Sequence, residues 1–236
     1  MMTTEVDGQT RLAITVMEPP AADTVINGPG PNASGPKWDA HVEVLREAIV
    51  THRPTYFVIA GRPPLDINAE ELRETIAWAQ QMGARVVLDL SSPMLELCLP
   101  LHPWLVKINL QEAQQATASQ ARGINLVRAL LGLGAENAVV TNGPGSVAGV
   151  LAGRELQAEP PAVNTVSAVG CGDSFLAGLL TQLVADPELR RPAAAVRTAI
   201  AVASASALDQ RPGFFDPTTV DSLQKAVEVR TAPPGE

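Results

Sequence analysis

Four short apolar runs constrain the fold of this chain more than any other feature of its sequence. They are TYFVIAG, RVVLDL, WLVKIN and NAVVTN, and they alternate with segments whose apolar residues repeat at helical spacing. Continuous apolar runs of this length are typical of strands that are buried on both faces of a parallel sheet. Because strand and helix alternate, we predict an α/β fold, a three-layer αβα sandwich around a mostly parallel sheet.

The segments outside these runs have other patterns. Residues 12–16 and 24–27 alternate as the strands of a β-hairpin do, and SVAGVLAG with ELQAEPPAV predicts a short antiparallel excursion. We expect helices over about 37–51, from about 68 to 82, between 110 and 133, and over about 172–185, 192–208 and 217–229. The prediction therefore divides the chain into a hairpin with its connection, 1–36, and an α/β core, 37–236.

The composition excludes several classes of partner. A net charge of -8 over 236 residues argues against nucleic acid or an anionic membrane surface, since both favour a basic protein. No uninterrupted apolar run is long enough to span a membrane, and MMTTEVDGQTR lacks the order of a signal peptide. Cys98 and Cys171 fit neither a disulfide framework nor a zinc motif. We therefore predict a cytoplasmic protein that must bind any anionic ligand locally.

The stretch SAVGCGDSFLAG crowds small residues around one aspartate, Asp173, where a helix is predicted to begin. Gly170 and Gly172 let a ligand approach the main chain, and the unpaired amides of a first helical turn attract anions. A carboxylate there can accept a proton from a hydroxyl while the amides stabilise a transferring phosphoryl group. The same residues also fit a structural interpretation, in which the aspartate caps the helix and Gly178 allows close helix packing.

A resemblance favours the chemical interpretation. VNTVSAVGCGDSFLAGLL resembles the signature of the ribokinase-like, or PfkB, carbohydrate kinases, with Cys171 in place of the alanine in their Gly-Ala-Gly-Asp core. The resemblance implies that Asp173 is the catalytic base and that Gly170, Cys171 and Gly172 form an anion hole for the phosphoryl group. It also implies a nucleotide-binding core of ribokinase-like fold over 37–236, with residues 1–36 as a partial β-hairpin lid.

A second segment, PWLVKINLQEA, resembles the Lys-Pro-Asn-x-x-Glu segment of the family. It gives Lys107, Asn109 and Glu112, with Ile108 in place of the proline. The resemblance implies that Asn109 and Glu112 hold Mg²⁺ through water, as suits oxygen ligands on a cation that keeps its hydration, and that all three residues surround the nucleotide. We therefore expect ATP and Mg²⁺ as cofactors.

The segment NAVVTNGPGSVAGVL has two interpretations. It resembles the strand and loop with which the family contacts ATP, and Thr141 and Gly143 stand at the matching positions. An oxidoreductase is the alternative, because Gly143, Gly145 and Ala148 imitate a dinucleotide-binding fingerprint. That fingerprint requires a helix directly after it, whereas GVLAGRELQAEPP is β-like and broken by two prolines. We therefore favour the kinase.

Within the family, the chain is most similar to the 1-phosphofructokinase and tagatose-6-phosphate kinase group, which phosphorylates sugars that already carry a phosphate. Arg11 matches the basic residue that binds the substrate phosphate in that group; a solvent-exposed strand arginine is the alternative. Ala13 replaces an asparagine, and AGRPPLD, residues 60–66, stands where the group has Ser-Gly-Ser-Leu-Pro. The resemblance implies phosphoryl transfer to a phosphorylated ketohexose, as from fructose 1-phosphate to fructose 1,6-bisphosphate.

Compared with the family, this chain is expected to start late, since its hairpin corresponds to the second part of the substrate lid. The earlier part supplies core strands, a sugar-binding aspartate and a Gly-Gly-Lys-Gly segment. Three explanations stay open: a start codon assigned too far downstream, a short form that completes its pocket with another subunit, or a remnant without turnover. An exposed sheet edge predicts self-association, with a homodimer expected. The alternative function is a truncated pseudokinase that serves as a nucleotide-binding or assembly module.

Overall fold

The computed structural model describes residues 3–16, 24–64, 66–67 and 69–232, and these form two compact units. The first unit comprises Met1–Pro54 and Arg62–Ala84, and the second comprises Thr55–Gly61 and Arg85–Glu236. The division predicted at residue 36 stays a prediction.

Among its described residues, the first unit contains a β-hairpin and two helices. Strand β1 (Ala13–Val16) pairs antiparallel with β2 (Thr24–Asn27), as the alternating sequence predicts, and Ile14 lies opposite Ile26. The turn expected at 18–23 lies outside the described residues. Helix α1 (Pro36–His52) begins with a proline, whose fixed φ suits the first helical position, and α2 (Ala69–Gln81) follows.

The second unit is built on a mixed sheet that has seven strands within the described residues. In spatial order these are β3 (Tyr56–Ala60), β4 (Arg85–Asp89), β5 (Leu105–Asn109), β6 (Ala138–Thr141), β7 (Val147–Leu151), β8 (Arg154–Ala158) and β9 (Val229–Ala232). Neighbouring strands are parallel from β3 to β6 and antiparallel from β6 to β9. The sheet therefore carries the predicted parallel strands and the predicted antiparallel excursion, and it is more evenly mixed than expected.

The helices of the second unit cover this sheet. They are α3 (Met94–Cys98), which continues into a single 3₁₀ turn at Leu99–Leu101, α4 (Leu110–Ala116), α5 (Gly123–Gly132), α6 (Cys171–Ala185), α7 (Pro192–Ser206) and α8 (Pro217–Ala226). Helices α6 and α7 pack on the sheet face that carries Val87, Leu105 and Val139. Side chains alternate along a strand, so Val106 and Ile108 point to the opposite face, and they too are fully buried. Burial on both faces confirms the predicted α/β fold class.

Helices α6 and α7 approach each other closely. A Cβ placed on Gly178 would lie 3.1 Å from Val202 and from the backbone of Ala199, so a larger residue would crowd this contact and glycine relieves it. This confirms that Gly178 allows close helix packing. The close packing at Gly178 does not decide between the structural and the chemical interpretation of Asp173, which lies about one turn earlier on the same helix.

The end of the chain differs from the prediction. The last helix ends at Ala226 rather than near 229, and Val229–Ala232 forms the edge strand β9, in which Thr231 pairs with Leu156 of β8. Pairing with an existing strand outweighs the weak local preference of VRTA. The structure contains no helix, among the residues it describes, that is long and apolar enough to cross a membrane.

Candidate active site

Polar side chains stand at the carboxyl ends of three neighbouring strands of the parallel part of the sheet. Asp89 ends β4, Asn109 ends β5 and Thr141 ends β6, and Asn109 pairs directly with Thr141. Ligands bind in α/β sheets at the carboxyl ends of parallel strands, so this edge is the natural place for a site. Because strand side chains alternate, these residues share the sheet face that α6 covers.

Lys107 and Asp89 form a buried ion pair on this face. The Lys107 Nζ lies 2.7 Å from Asp89 Oδ2, and Lys107 is only 4% exposed. Burial raises the pKa of Asp89 above its ordinary value, Lys107 opposes that rise, and the charges of Glu112 and Asp173 add to it. Three carboxylates therefore lie close together with one ammonium among them.

Asp89 is the site residue that the sequence analysis missed. Its signal in the sequence is a single aspartate that ends the apolar run RVVLD, in the same position as the asparagine that ends LVKIN. The predicted Lys107 is brought to this aspartate by the parallel pairing of β4 and β5.

Asn109 and Glu112 are joined to each other by the start of α4. The amide of Glu112 donates to Asn109 Oδ1 at 3.0 Å, and the amide of Asn109 donates to Glu112 Oε2 at 3.1 Å. This reciprocal pair is a capping box, so both side chains stabilise the helix start. The other carboxylate oxygen of Glu112 has no protein partner in the part of the chain that the structure describes, and it remains available to a hydrated cation.

Helix α6 begins at Cys171, two residues before Asp173, and presents free amides at its start. Gly170, with φ +78°, occupies the N-cap, where a Cβ would lie 3.0 Å from Pro212. The Cys171 amide donates to the Ala168 carbonyl at 3.3 Å. The amides of Gly172 and Asp173 have no acceptor among the described residues. Of the predicted anion hole, residues 170–172, the Gly172 amide is therefore a free donor, and the Asp173 amide next to it is a second one.

Lys107 reinforces this helix start. A Cβ on Gly172 would lie 3.1 Å from Lys107 Nζ, so the ammonium lies directly behind the first turn of α6. Asp173 is the third residue of the helix and is exposed, and its carboxylate accepts no hydrogen bond within the described residues. The arrangement places a free carboxylate beside a positive niche formed by two amides and an ammonium.

A cavity of about 400 Å³ adjoins the start of α6. It is lined by Thr141 at the end of β6, by Gly143 and Pro144 of the following turn, by Cys171, Gly172 and Phe175 of α6, and by mostly apolar residues of 160–165 and α7. Volume and apolar lining match those of small-molecule sites. The structure thus brings Thr141 and Gly143 into one cavity with Cys171 and Gly172.

The dinucleotide-binding alternative from the sequence loses support here, and so does any role for Cys171 as a reactive thiol. The segment after Gly143 and Gly145 continues into strand β7 rather than a helix, which contradicts a dinucleotide-binding fingerprint. Burial raises the pKa of the Cys171 thiol, so its sulfur stays protonated at neutral pH and fills space as alanine would.

Arg11 lies in the first unit, just before β1, where it is exposed. The other predicted site residues, Lys107, Asn109, Glu112, Thr141, Gly143 and 170–173, all belong to the second unit. In the described ranges, no group of three His, Cys, Asp or Glu side chains has the arrangement of a metal site.

Comparison with known proteins gives a consistent result. The pfkB family carbohydrate kinase model matches residues 2–219. The 1-phosphofructokinase of Rhodobacter capsulatus is 31% identical over 232 residues, which are 96% of this chain and 72% of the relative, and that of Vibrio cholerae is 29% identical over 94% and 70%. The tetrameric inhibited form of phosphofructokinase-2 from Escherichia coli superposes with a TM-score of 0.80 at 24% identity, covering 95% of this chain and 73% of that one.

Proposed function

Because the chain belongs to the pfkB family of carbohydrate kinases, we propose that it transfers the γ-phosphoryl group of ATP to a hydroxyl of a phosphorylated ketohexose. Fructose 1-phosphate, which would give fructose 1,6-bisphosphate, is the acceptor favoured by the names of the relatives. The observation that carries the proposal is the free carboxylate of Asp173 beside the unpaired amides of Gly172 and Asp173, at the edge of a cavity that Thr141 and Gly143 also line.

The apolar cavity suits the base and ribose of the nucleotide. Thr141 ends β6 and Gly143 lies in the turn that follows, where its positive φ of +53° lets the main chain turn without a Cβ in the way. Phosphates that extend from this cavity toward α6 would meet the free amides at its start, with the Lys107 ammonium behind them.

The charges at the sheet edge fit a divalent cation. The charges of Glu112 and Asp173 both raise the pKa of Asp89, and the ammonium of Lys107 opposes them. A triphosphate entering this region would be repelled without a cation, and Asn109 with the free oxygen of Glu112 are the groups placed to hold hydrated Mg²⁺. When bound, Mg²⁺ supplies neutralisation of the phosphate charge.

Asp173 is the proposed general base. Its exposed carboxylate, with no protein hydrogen bond in the described residues, is open to a sugar hydroxyl. The neighbouring amides stabilise the charge on the phosphoryl group as it moves. Arg11 is proposed to bind the phosphate already present on the sugar, as in the group that the sequence resembles.

We also propose a homodimer as the working form. Leu12, Ile14, Val16 and Ile26 share one face of the hairpin, and each is at least 39% exposed. An exposed apolar face on a two-stranded hairpin is a common contact surface between subunits.

Sugar-dependent formation of ADP tests the proposed function. Fructose 1-phosphate, tagatose 6-phosphate, fructose 6-phosphate and the unphosphorylated sugars are compared in a coupled assay. We expect turnover with a phosphorylated ketohexose, and we expect Asp173→Asn to reduce kcat by a factor of at least about 100 while ATP binding persists, because the base is lost. Asp221→Asn, on an exposed face of α8, removes the same charge as a control.

Two results would contradict the proposal. Equal rates for Asp173→Asn and the unmodified chain would remove the base assignment. Thermal stabilisation by ATP without ADP formation from any of these sugars would support the pseudokinase alternative instead.

A further inference from the structure

A small cavity in the first unit carries two arginines. It measures about 150 Å³ and is lined by Arg11 and Arg62, by the loop 28–31, which contributes two glycines and two prolines, and by Pro63 and Pro64. We call it the arginine cavity. Its volume corresponds to about five water molecules of liquid, too small for a whole sugar or nucleotide and suited to one charged group of a ligand.

The charge in this cavity is uncompensated by protein. Over residues 3–16, 24–64, 66–67 and 69–232, neither Arg11 nor Arg62 forms an ion pair. Two of the acids in adjoining segments are engaged elsewhere: Asp7 pairs with Lys37 at 3.2 Å, and Asp66 accepts backbone amides. Two guanidinium groups on one small cavity of an acidic protein repel each other unless an anion lies between them.

The walls of the arginine cavity are fixed in place. The Gly28 amide donates to the Leu12 carbonyl at 2.8 Å, which joins the loop 28–31 to the residue after Arg11. The Asp66 carboxylate accepts the amides of Ala33 and Ser34 at 3.1 and 3.0 Å, which joins that loop to the segment that follows Arg62. The prolines restrict the backbone further. Both arginines therefore start from restrained backbone positions, so binding an anion costs little additional ordering.

We propose that Arg62 is a specificity-determining residue that forms, with Arg11, a two-armed site for the phosphate monoester of the acceptor sugar. Two guanidinium forks suit a phosphate dianion, which offers three oxygens, better than a carboxylate, which one fork satisfies. The identity of the phosphate-bearing molecule, a phosphorylated sugar, rests on the proposed function. The phosphate contact predicted for Arg11 does not involve Arg62. The group that the sequence resembles has Ser-Gly-Ser-Leu-Pro where this chain has residues 60–66, so its phosphate site has no second arginine at this position.

Binding without ATP tests the site apart from turnover. The affinities of inorganic phosphate, fructose 1-phosphate and fructose are measured by calorimetric or NMR titration of the full chain. We expect Arg62→Gln to weaken binding of both phosphorylated ligands about tenfold and to leave fructose unaffected, because a charge-assisted pair is lost. Arg62→Lys keeps the positive charge but loses the forked guanidinium. Its affinity for the phosphorylated ligands should therefore lie between that of the unmodified chain and that of Arg62→Gln. Arg190→Gln, an exposed arginine of the second unit, removes the same charge and should change nothing.

The kinetic assay separates this inference from the proposed function. An increased KM for fructose 1-phosphate in Arg62→Gln, with the KM for ATP unchanged, supports the site. Phosphate binding that Arg62→Gln weakens supports the site even if no sugar yields ADP, in which case the proposed function alone fails. Unchanged phosphate affinity in Arg62→Gln, or an equal loss in Arg190→Gln, overturns the inference even if the kinase is active.

Discussion

At the scale of single residues, the pair formed by Lys107 and Asp89 is the most constrained polar contact of the site. Both groups are largely buried, and the burial that raises the pKa of Asp89 shows that the charged carboxylate is costly there. Buried pairs of this kind contribute little net stability, yet removing one partner leaves an uncompensated charge. We therefore attribute the pair to positioning rather than to stability: Asp89 holds the Lys107 ammonium next to Gly172.

Substitution of the two partners should have unequal effects on stability. Asp89→Asn leaves a lysine that is 4% exposed without its carboxylate, and we expect a loss of about 3 kcal/mol in the free energy of unfolding. Lys107→Met should cost less, because Asp89 can take up a proton once its partner is gone. The double variant should recover part of the loss. Urea denaturation of all four proteins gives the coupling energy, and strictly additive losses would argue against a functional pair.

The candidate site could be predicted from the sequence only where several residues act as one motif. Lys107, Asn109 and Glu112 stand within six positions of one another, and Asp173 lies among glycines, so each group carries its own context. Asp89 is a single polar residue after an apolar run, and only the pairing of β4 with β5 shows its partner. Arg62 likewise gains meaning only from the loop 28–31, which is distant from it in sequence.

At the scale of elements, the start of α6 contains two glycines with different physical roles. Gly170 has a left-handed backbone and contacts Pro212, whereas Gly172 has an ordinary helical backbone and faces Lys107. The first glycine is required by the chain itself. The second keeps the space in front of the ammonium open.

These roles predict that alanine at Gly170 lowers stability, whereas alanine at Gly172 lowers activity. Gly170→Ala should lower the free energy of unfolding by about 1–2 kcal/mol, because a Cβ disfavours the left-handed backbone. Gly172→Ala should change stability by no more than about 1 kcal/mol, since alanine favours a helix, but it should displace Lys107 and reduce kcat. Gly132→Ala in α5 meets no atom within 4 Å and serves as the control. Full activity of Gly172→Ala would contradict the role given to Lys107.

The elements themselves were predictable where local pattern and tertiary burial agree. The apolar runs that became β4, β5 and β6 are buried in a sheet, and a continuous apolar run can be recognised without knowing its partner strand. The run that became β3 differs from the expected burial: it lies at the edge of the described sheet, and Val58 is 38% exposed. Strand β9 and helix α3 were missed. Strand β9 is four residues long and mostly exposed, so pairing with β8 defines it, and α3 is only five residues long.

At the scale of the whole molecule, the hairpin exposes an apolar face to solvent. Leu12 is 66% exposed and Ile26 is 55% exposed, and Ile14 lies directly across from Ile26. A two-stranded hairpin is at best marginally stable alone in water, so burying this face against the same face of a second copy would stabilise both.

Replacement of the central cross-strand pair tests this association. Ile14→Ser combined with Ile26→Ser should convert the expected dimer into a monomer, because the polar pair no longer gains from leaving water. Light scattering after size-exclusion chromatography measures the mass, and Val184→Ser, which replaces an apolar residue of α6 that is 66% exposed, is the matched control. Since the cavity and Asp173 belong to the second unit, the hairpin variant should still bind ATP. If the unmodified chain is already a monomer at micromolar concentration, the exposed apolar face has another explanation and the proposed homodimer is wrong.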